Sequence, residues 1–386
     1  MSVTYPLGFR AAGVAAGIKS SGKPDLALVV NDGPEPSCAV VFTQNRAQAH
    51  PIRWSRSVMA AGGTPRAVLL NSGGANCFTG DYGYETVELA AAAVAAEVRG
   101  IRATDVLVCS TGLIGSGGEE FRASVLGGVP LVSAALAADD TTAPAAILTT
   151  DSVTKTATHE GEGWRIGAMG KGAGMLAPGL ATMLVVVTTD AVVPTAVLDR
   201  ALRAAVASTF NRLDSDGCMS TNDQVTAFAS GQSGVTPTEV EFTAGLLAVC
   251  DDLAEQLQVD AEGAGHNIHI MVEGAATEAD AEEVGRALAR NNLFKAAIAG
   301  EDPNWGRVLA AIGVTDASFD PYFVDVSFNG VRLCTAGGPD RPVSECDLSP
   351  KRTEVLIELH AGDATARIRT NDLTVDYVRE NSAYAS

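Results

Sequence analysis

Residues 167–191 read GAMGKGAGMLAPGLATMLVVVTTDA. Glycines at 170, 172, 174 and 179, with Pro178, mark a loop that runs into the apolar stretch Met183 to Val187. The loop-to-strand junction falls at Ala181-Thr182. A threonine at the head of a buried strand can attack the carbonyl before it when the loop bends that peptide toward its hydroxyl, and glycines permit such a bend. An N-to-O acyl shift followed by hydrolysis would leave Thr182 as a new N-terminus. Its freed α-amino group, with an ordinary pKa of about 7.7–8.0, would then sit beside its own hydroxyl as a base. On these residues alone, a strand threonine after a tight turn is the plainer reading. A dinucleotide cradle fits poorly, because Gly170, Gly172 and Gly174 lack the G-x-G-x-x-G spacing and Pro178-Gly179 breaks the helix that should receive the pyrophosphate.

Outward from this segment, short β-rich runs alternate with alanine-rich helical ones. LALVV (26–30), CAVVF (38–42), RAVLL (66–70) and DVLVC (105–109) read as strands, and ETVELAAAAVAAEVRG (85–100) as a helix. The fold class is therefore α/β and layered. Thr236-Pro237-Thr238-Glu239 and Thr277 to Asp280 carry helix-start chemistry. Beyond about residue 320, FVDVSFNGVRLC, TEVLIELH, ATARIRT and LTVDYV read as strands separated by turns, giving a strand-rich C-terminal region. No fixed-period repeat or linker composition announces a domain boundary.

Composition narrows the function classes. Of 386 residues, 27 are basic and 46 acidic, for a net charge of -19 that repels nucleic acid and anionic membrane surfaces. Seven cysteines without a C-x-x-C pair fit neither a disulfide framework nor a zinc site, so a reducing cytoplasm is expected. The most apolar run, Leu180 to Val193, is shorter than the roughly 20 residues of a membrane span and holds three threonines and Asp190. His266 and His269 lie three apart in a strand-like run, on opposite faces, so no metal is expected.

KGAGMLAPGLATMLVVVTTDA resembles the self-cleavage signature of the ornithine acetyltransferase family, the bifunctional glutamate N-acetyltransferases of arginine biosynthesis. GFRAAGVAAGIK (8–19), NSGGANCFTG (71–80), STGLIG (110–115), TTD with a following lysine (149–155), TFNRLDSDGCMSTND (209–223), EDPNWGRVLAAIG (301–313) and YVRENSAYAS (377–386) resemble the same family in the same order. The resemblance spans nearly the whole chain. It implies a layered N-terminal-nucleophile-like sandwich similar to the ornithine acetyltransferase and β-aminopeptidase folds. It also implies self-cleavage between Ala181 and Thr182, giving an alpha chain, 1–181, and a beta chain, 182–386, within one intertwined fold.

The same resemblance implies the site. Thr182 would be the nucleophile, Thr111 and Gly112 the oxyanion hole, and Thr149, Lys171, Thr182, Glu262, Asn381 and Ser386 the substrate contacts, with Thr150 competing with Thr149 for its place. Lys171 could hold an α-carboxylate as a point charge and Glu262 an ammonium group. The implied reaction is ping-pong: Thr182 takes the acetyl group of N-acetylornithine, releases ornithine and passes the acetyl to glutamate. No cofactor is needed, acetyl-CoA stays open as a second donor, and a heterotetramer of two alpha and two beta chains is implied. A threonine hydrolase of related architecture and a non-catalytic α/β protein are the competing readings.

Overall fold

A computed structural model describes residues 2–177 and 183–383. The first half forms strands β1 (Phe9–Val14), β2 (Leu26–Asn31), β3 (Ser37–Phe42), β4 (Ala67–Ser72), β5 (Val106–Thr111), β6 (Lys155–Gly161) and β7 (Trp164–Lys171). Helices α1 (His50–Ala60), α2 (Gly80–Glu97), α3 (Glu119–Ala134) and the short α4 (Ala143–Ala146) lie between them. Then come β8 (Leu184–Thr189), α5 (Thr195–Ser208), β9 (Gln224–Ala229) and the long α6 (Glu239–Val259).

Two sheets form from these strands, in the orders β1-β2-β4-β5 and β3-β9-β8-β7-β6. They stack face to face, and period-two alternation of side chains explains how. Ala27, Val29, Val68, Leu70, Leu107 and Cys109 of the first sheet meet Cys38, Val40, Leu184 and Val186 of the second in one core. The alternate residues of the first sheet, Leu28, Leu69 and Val108 among them, pack instead on Val87 and Val94 of α2 and on Val125 and Val129 of α3. Those of the second, Val185 and Val187, pack on Leu198 and Leu202 of α5 and on Leu246 and Leu253 of α6. The result is a helix–sheet–sheet–helix sandwich, which is why these strands read as unbroken apolar runs. At roughly 1.5–3 kcal/mol for each large aliphatic side chain, burial on both faces dominates the stability. The layered α/β expectation is met. The second sheet draws β3, β6 and β7 from before residue 182 and β8 and β9 from after it.

The C-terminal region adds β10 (Asn267–Ala275), α7 (Glu278–Ala289), α8 (Asn292–Ala299), α9 (Trp305–Ile312), β11 (Asp325–Phe328), β12 (Val331–Thr335), β13 (Gly338–Pro339), β14 (Arg352–Glu358), β15 (Ala364–Asn371) and α10 (Val375–Ala383). Its six strands make a third sheet, β13-β12-β11-β14-β10-β15. One face packs on α7, α8 and α9 around Ile268, Ile270, Val284, Phe294, Val308 and Ile357. Gln258 near the end of α6 ties this unit to the sandwich, its amide donating to the carbonyls of Ile268 and Thr370.

Several local expectations need correction. LTVDYV is not a strand: from Val375 it is the start of α10, because the Thr374 hydroxyl accepts the Tyr377 amide and caps a helix that β-branched alternation argued against. The start of α6 is capped by Thr238 in a reciprocal pair with Glu241, two residues beyond the expected Thr236. Thr277 caps α7 as expected. Helix α2 begins at Gly80, five residues before the alanine-rich run. Gly170 is not in a loop but pairs with Lys155 and Val185 inside the second sheet.

Candidate active site

β7 and β8 are antiparallel and β8 and β9 parallel, so Lys171, Leu184 and Gln224 stand in one row at one edge of the second sheet. Beside this edge the first sheet ends at Thr111 of β5. A cavity of about 290 Å³ opens between them, closed from the other side by the chain after α6 and by α10. Thr111, Gly112, Thr149, Thr150, Lys171, Glu262 and Asn381 all line it. Six expected site residues are thus brought together from five separate stretches of chain. Ala181, Thr182 and Ser386 lie outside the described residues.

Thr111 and Gly112 owe their position to a turn that only glycine makes. Gly112 has φ +131°, and a Cβ there would fall 2.6 Å from the Gly74 nitrogen. The Thr111 carbonyl accepts the amides of Gly73 and Gly74, fixing the strand end.

Lys171 is the last residue of β7, fully buried, not a solvated loop lysine. Its Nζ lies 3.3 Å from the Thr111 hydroxyl and 3.8 Å from an Asp151 carboxylate oxygen. The Asp151 side chain is equally buried and also takes Lys155 Nζ at 2.7 Å, the Gly172 amide at 2.6 Å and the Thr149 amide at 3.0 Å. Lys155 in turn reaches Asp260 at 2.5 Å. Two lysines therefore face two aspartates, and Lys171 is the member held most loosely, leaving its charge directed at the cavity. Burial pulls its pKa down against the attraction of Asp151. Burial pushes the Asp151 carboxyl up, but Lys171 and Lys155 outweigh it and hold the acid well below the usual carboxylate range.

Glu262 follows α6 and is half-buried. Its amide donates to the Ala173 carbonyl, and its carboxylate accepts the Asn381 side-chain amide at 3.0 Å. A Cβ on Gly174 would meet that carboxylate at 2.5 Å, so the close approach needs the glycine. Thr149 and Thr150 both line the cavity, so the one-residue ambiguity between them persists.

Sequence reasoning assigned no role to Asp151, Asp216, Asn222 or Tyr377. Asp216 accepts the Met175 and Cys218 amides, which holds Met175 in a left-handed conformation, φ +58°. Burial raises its carboxyl pKa. Asn222 donates to the carbonyls of Ala75 and Ser110, clamping β9 to the first sheet. Burial first, then Asp216 and Glu262, push the Tyr377 phenol up to about 12. TFNRLDSDGCMSTND and YVRENSAYAS contain three of the four, so the signal was a motif without an assigned role. A second cavity of about 340 Å³ shares Asp216, Glu262 and Tyr377 with the first.

His266 and His269 are buried and structural: His266 bridges Asp372 and the Leu348 carbonyl, both at 3.0 Å. Among the described residues no three metal-ligating side chains cluster, and no helix is long and apolar enough to cross a membrane.

A small cavity that pairs a buried lysine with a carboxylate, beside a strand-end turn in a helix–sheet–sheet–helix sandwich, defines a class: an α/β enzyme for an amino-acid-sized substrate. Residues 10–386 match the ArgJ family, and the chain belongs to it. The arginine biosynthesis bifunctional protein ArgJ of Streptomyces coelicolor is 55% identical over 387 residues, covering all of both chains. Its counterpart in Thermobifida fusca is 54% identical with the same coverage. The crystal structure of ornithine acetyltransferase complexed with ornithine from Mycobacterium tuberculosis is 45% identical over 47% of this chain and 96% of that one, with a TM-score of 0.44.

Proposed function

We propose that this chain is a self-processing acetyltransferase of arginine biosynthesis, cut between Ala181 and Thr182, that moves an acetyl group from N-acetylornithine to glutamate through Thr182. The relatives' shared description as arginine biosynthesis bifunctional proteins supports the pathway. The observation that carries the chemistry is the single cavity lined by Thr111, Gly112, Lys171, Glu262 and Asn381, at the edge of the sheet where β8 begins.

In this reading the Thr182 hydroxyl adds to the acetyl carbonyl while its own α-amine takes the proton. Thr111 and the Gly112 amide stabilise the oxyanion. The tetrahedral intermediate collapses as the proton passes to the departing nitrogen, releasing ornithine and leaving an acetyl ester on Thr182. The glutamate amine then attacks the ester, and the hydroxyl is restored. Lys171 holds the α-carboxylate common to donor and acceptor, while Glu262, steadied by Asn381, faces a substrate ammonium. Thr149, or Thr150 in its place, and Ser386 complete the substrate contacts. The 1–181 and 182–386 chains stay together because the second sheet needs strands from both, and two of each form the heterotetramer. The mechanism calls on no cofactor, acetyl-CoA is the second donor to assay, and the cytoplasm is the expected compartment.

Incubation with N-acetylornithine and isotopically labelled glutamate tests the reading. Labelled N-acetylglutamate should appear one-for-one with ornithine, with little free acetate. Acetate in place of N-acetylglutamate would make the protein a hydrolase.

A further inference from the structure

Asp223 is fully buried, immediately before β9, and no step above uses it. Its Oδ1 accepts the Met183 amide at 3.1 Å, and the Met183 carbonyl accepts the Gln224 amide at 3.2 Å, a two-point grip on the residue that follows Thr182. Its Oδ2 is buried and has no hydrogen-bond partner among the described residues. A buried carboxyl oxygen without a partner is costly unless it carries a proton or meets a reacting group.

We propose that Asp223 is the proton-transfer group of self-cleavage at Ala181-Thr182. The proposal rests on the reading of Thr182 given above. In the acyl shift the Thr182 hydroxyl loses a proton as its oxygen bonds to the Ala181 carbonyl carbon. The Thr182 nitrogen must gain one as the C–N bond breaks. A carboxyl group that gives one proton and takes the other ends unchanged, so the step balances without a co-reactant, and water then hydrolyses the ester. Before cleavage the Thr182 nitrogen is an amide and cannot act as the base, so the self-activation available to the mature enzyme is absent when the cut is made. The groups facing Asp223 are the Met183 amide, the Ser220 and Thr43 hydroxyls, and the Lys171 ammonium. The Thr43 hydroxyl donates to the Ser220 carbonyl. Burial outweighs the Met183 amide and Lys171 and pushes the Asp223 carboxyl well above the usual carboxylate range, which favours its protonated form.

The test follows cleavage over time in full-length chains made by cell-free translation, comparing wild type, Asp223→Asn, Asp223→Glu and Thr182→Ala by intact mass at several pH values. Asp223→Asn keeps an acceptor for the Met183 amide but cannot shuttle the proton. It should melt near wild type, cut at least tenfold more slowly, and lose the fall in rate that wild type shows as pH rises through the Asp223 pKa. Asp223→Glu should cut faster than Asp223→Asn, a rescue that also decides the matter if the asparagine variant folds poorly. Asp223→Asn cutting at the wild-type rate, or Asp223→Glu cutting no faster than a crippled Asp223→Asn, overturns the proposal. A wild type that never cuts overturns instead the reading of Thr182.

Discussion

At the residue scale the site depends on charges taken out of water in a matched set. Asp151 is shared by two buried lysines, and removing its charge takes away the ion-pair partner of Lys171 and leaves Lys155 with Asp260 alone. Asp151→Asn should therefore destabilise the fold by about 3–5 kcal/mol, read from urea denaturation at neutral pH. Because its folded pKa is depressed, the stability Asp151 contributes is fully present above its unfolded value of about 3.9 and is lost as pH falls below that. The wild type should accordingly weaken more than Asp151→Asn does as pH is lowered from about 4 into strong acid, and no more than it does in mild acid above that. Glu262 behaves differently: it is half-buried and held by one amide from Asn381. Glu262→Gln should raise KM for the amino-acid substrates by about tenfold, about 1.4 kcal/mol, with a smaller change in kcat.

At the element scale, the positions of strand and helix ends decide the chemistry. Gly112 turns the chain at the end of β5, where it and Thr111 line the cavity, and a methyl there meets backbone. Gly112→Ala should lower kcat by roughly 10²–10³ and lower the melting temperature as well, because alanine would have to adopt φ +131° with its methyl pressed on the Gly74 nitrogen. Helix α10 brings Tyr377 and Asn381 to the cavity and starts on the Thr374 cap. Thr374→Ala should cost about 1 kcal/mol of local helix stability. Amide exchange over residues 375–383 should then run several-fold faster, and KM should rise more than kcat falls. This helix also shows where sequence reading stopped. Alternating Leu373, Val375 and Tyr377 has the period of a strand, and one hydroxyl contact at Thr374 outweighs it. Strands β2, β3, β4 and β5 were legible to within two residues, because burial on both faces writes itself as an apolar run. The burial of Lys171 was not legible, because the same residue type in a glycine-rich stretch is usually solvated, and only the partner Asp151, twenty residues away, makes its burial tolerable. Asp223 was hidden for a similar reason: its environment comes from β8 through a long-range parallel pairing.

At the scale of the whole molecule, the second sheet interleaves strands from both sides of residue 182, so a cut there would sever the chain without separating the layers. The cavity lies at the same edge, where β8 begins, so the proposed cut and the proposed acyl carrier share one place. The most direct test is the intact mass of denatured wild type beside Thr182→Ala, each before and after brief exposure to N-acetylornithine. Wild type should give fragments of 181 and 205 residues, with an added acetyl mass on the one that begins at Thr182, while Thr182→Ala stays a single unmodified chain of 386 residues. One uncut, unacetylated chain in both samples would contradict a self-processing threonine acyltransferase.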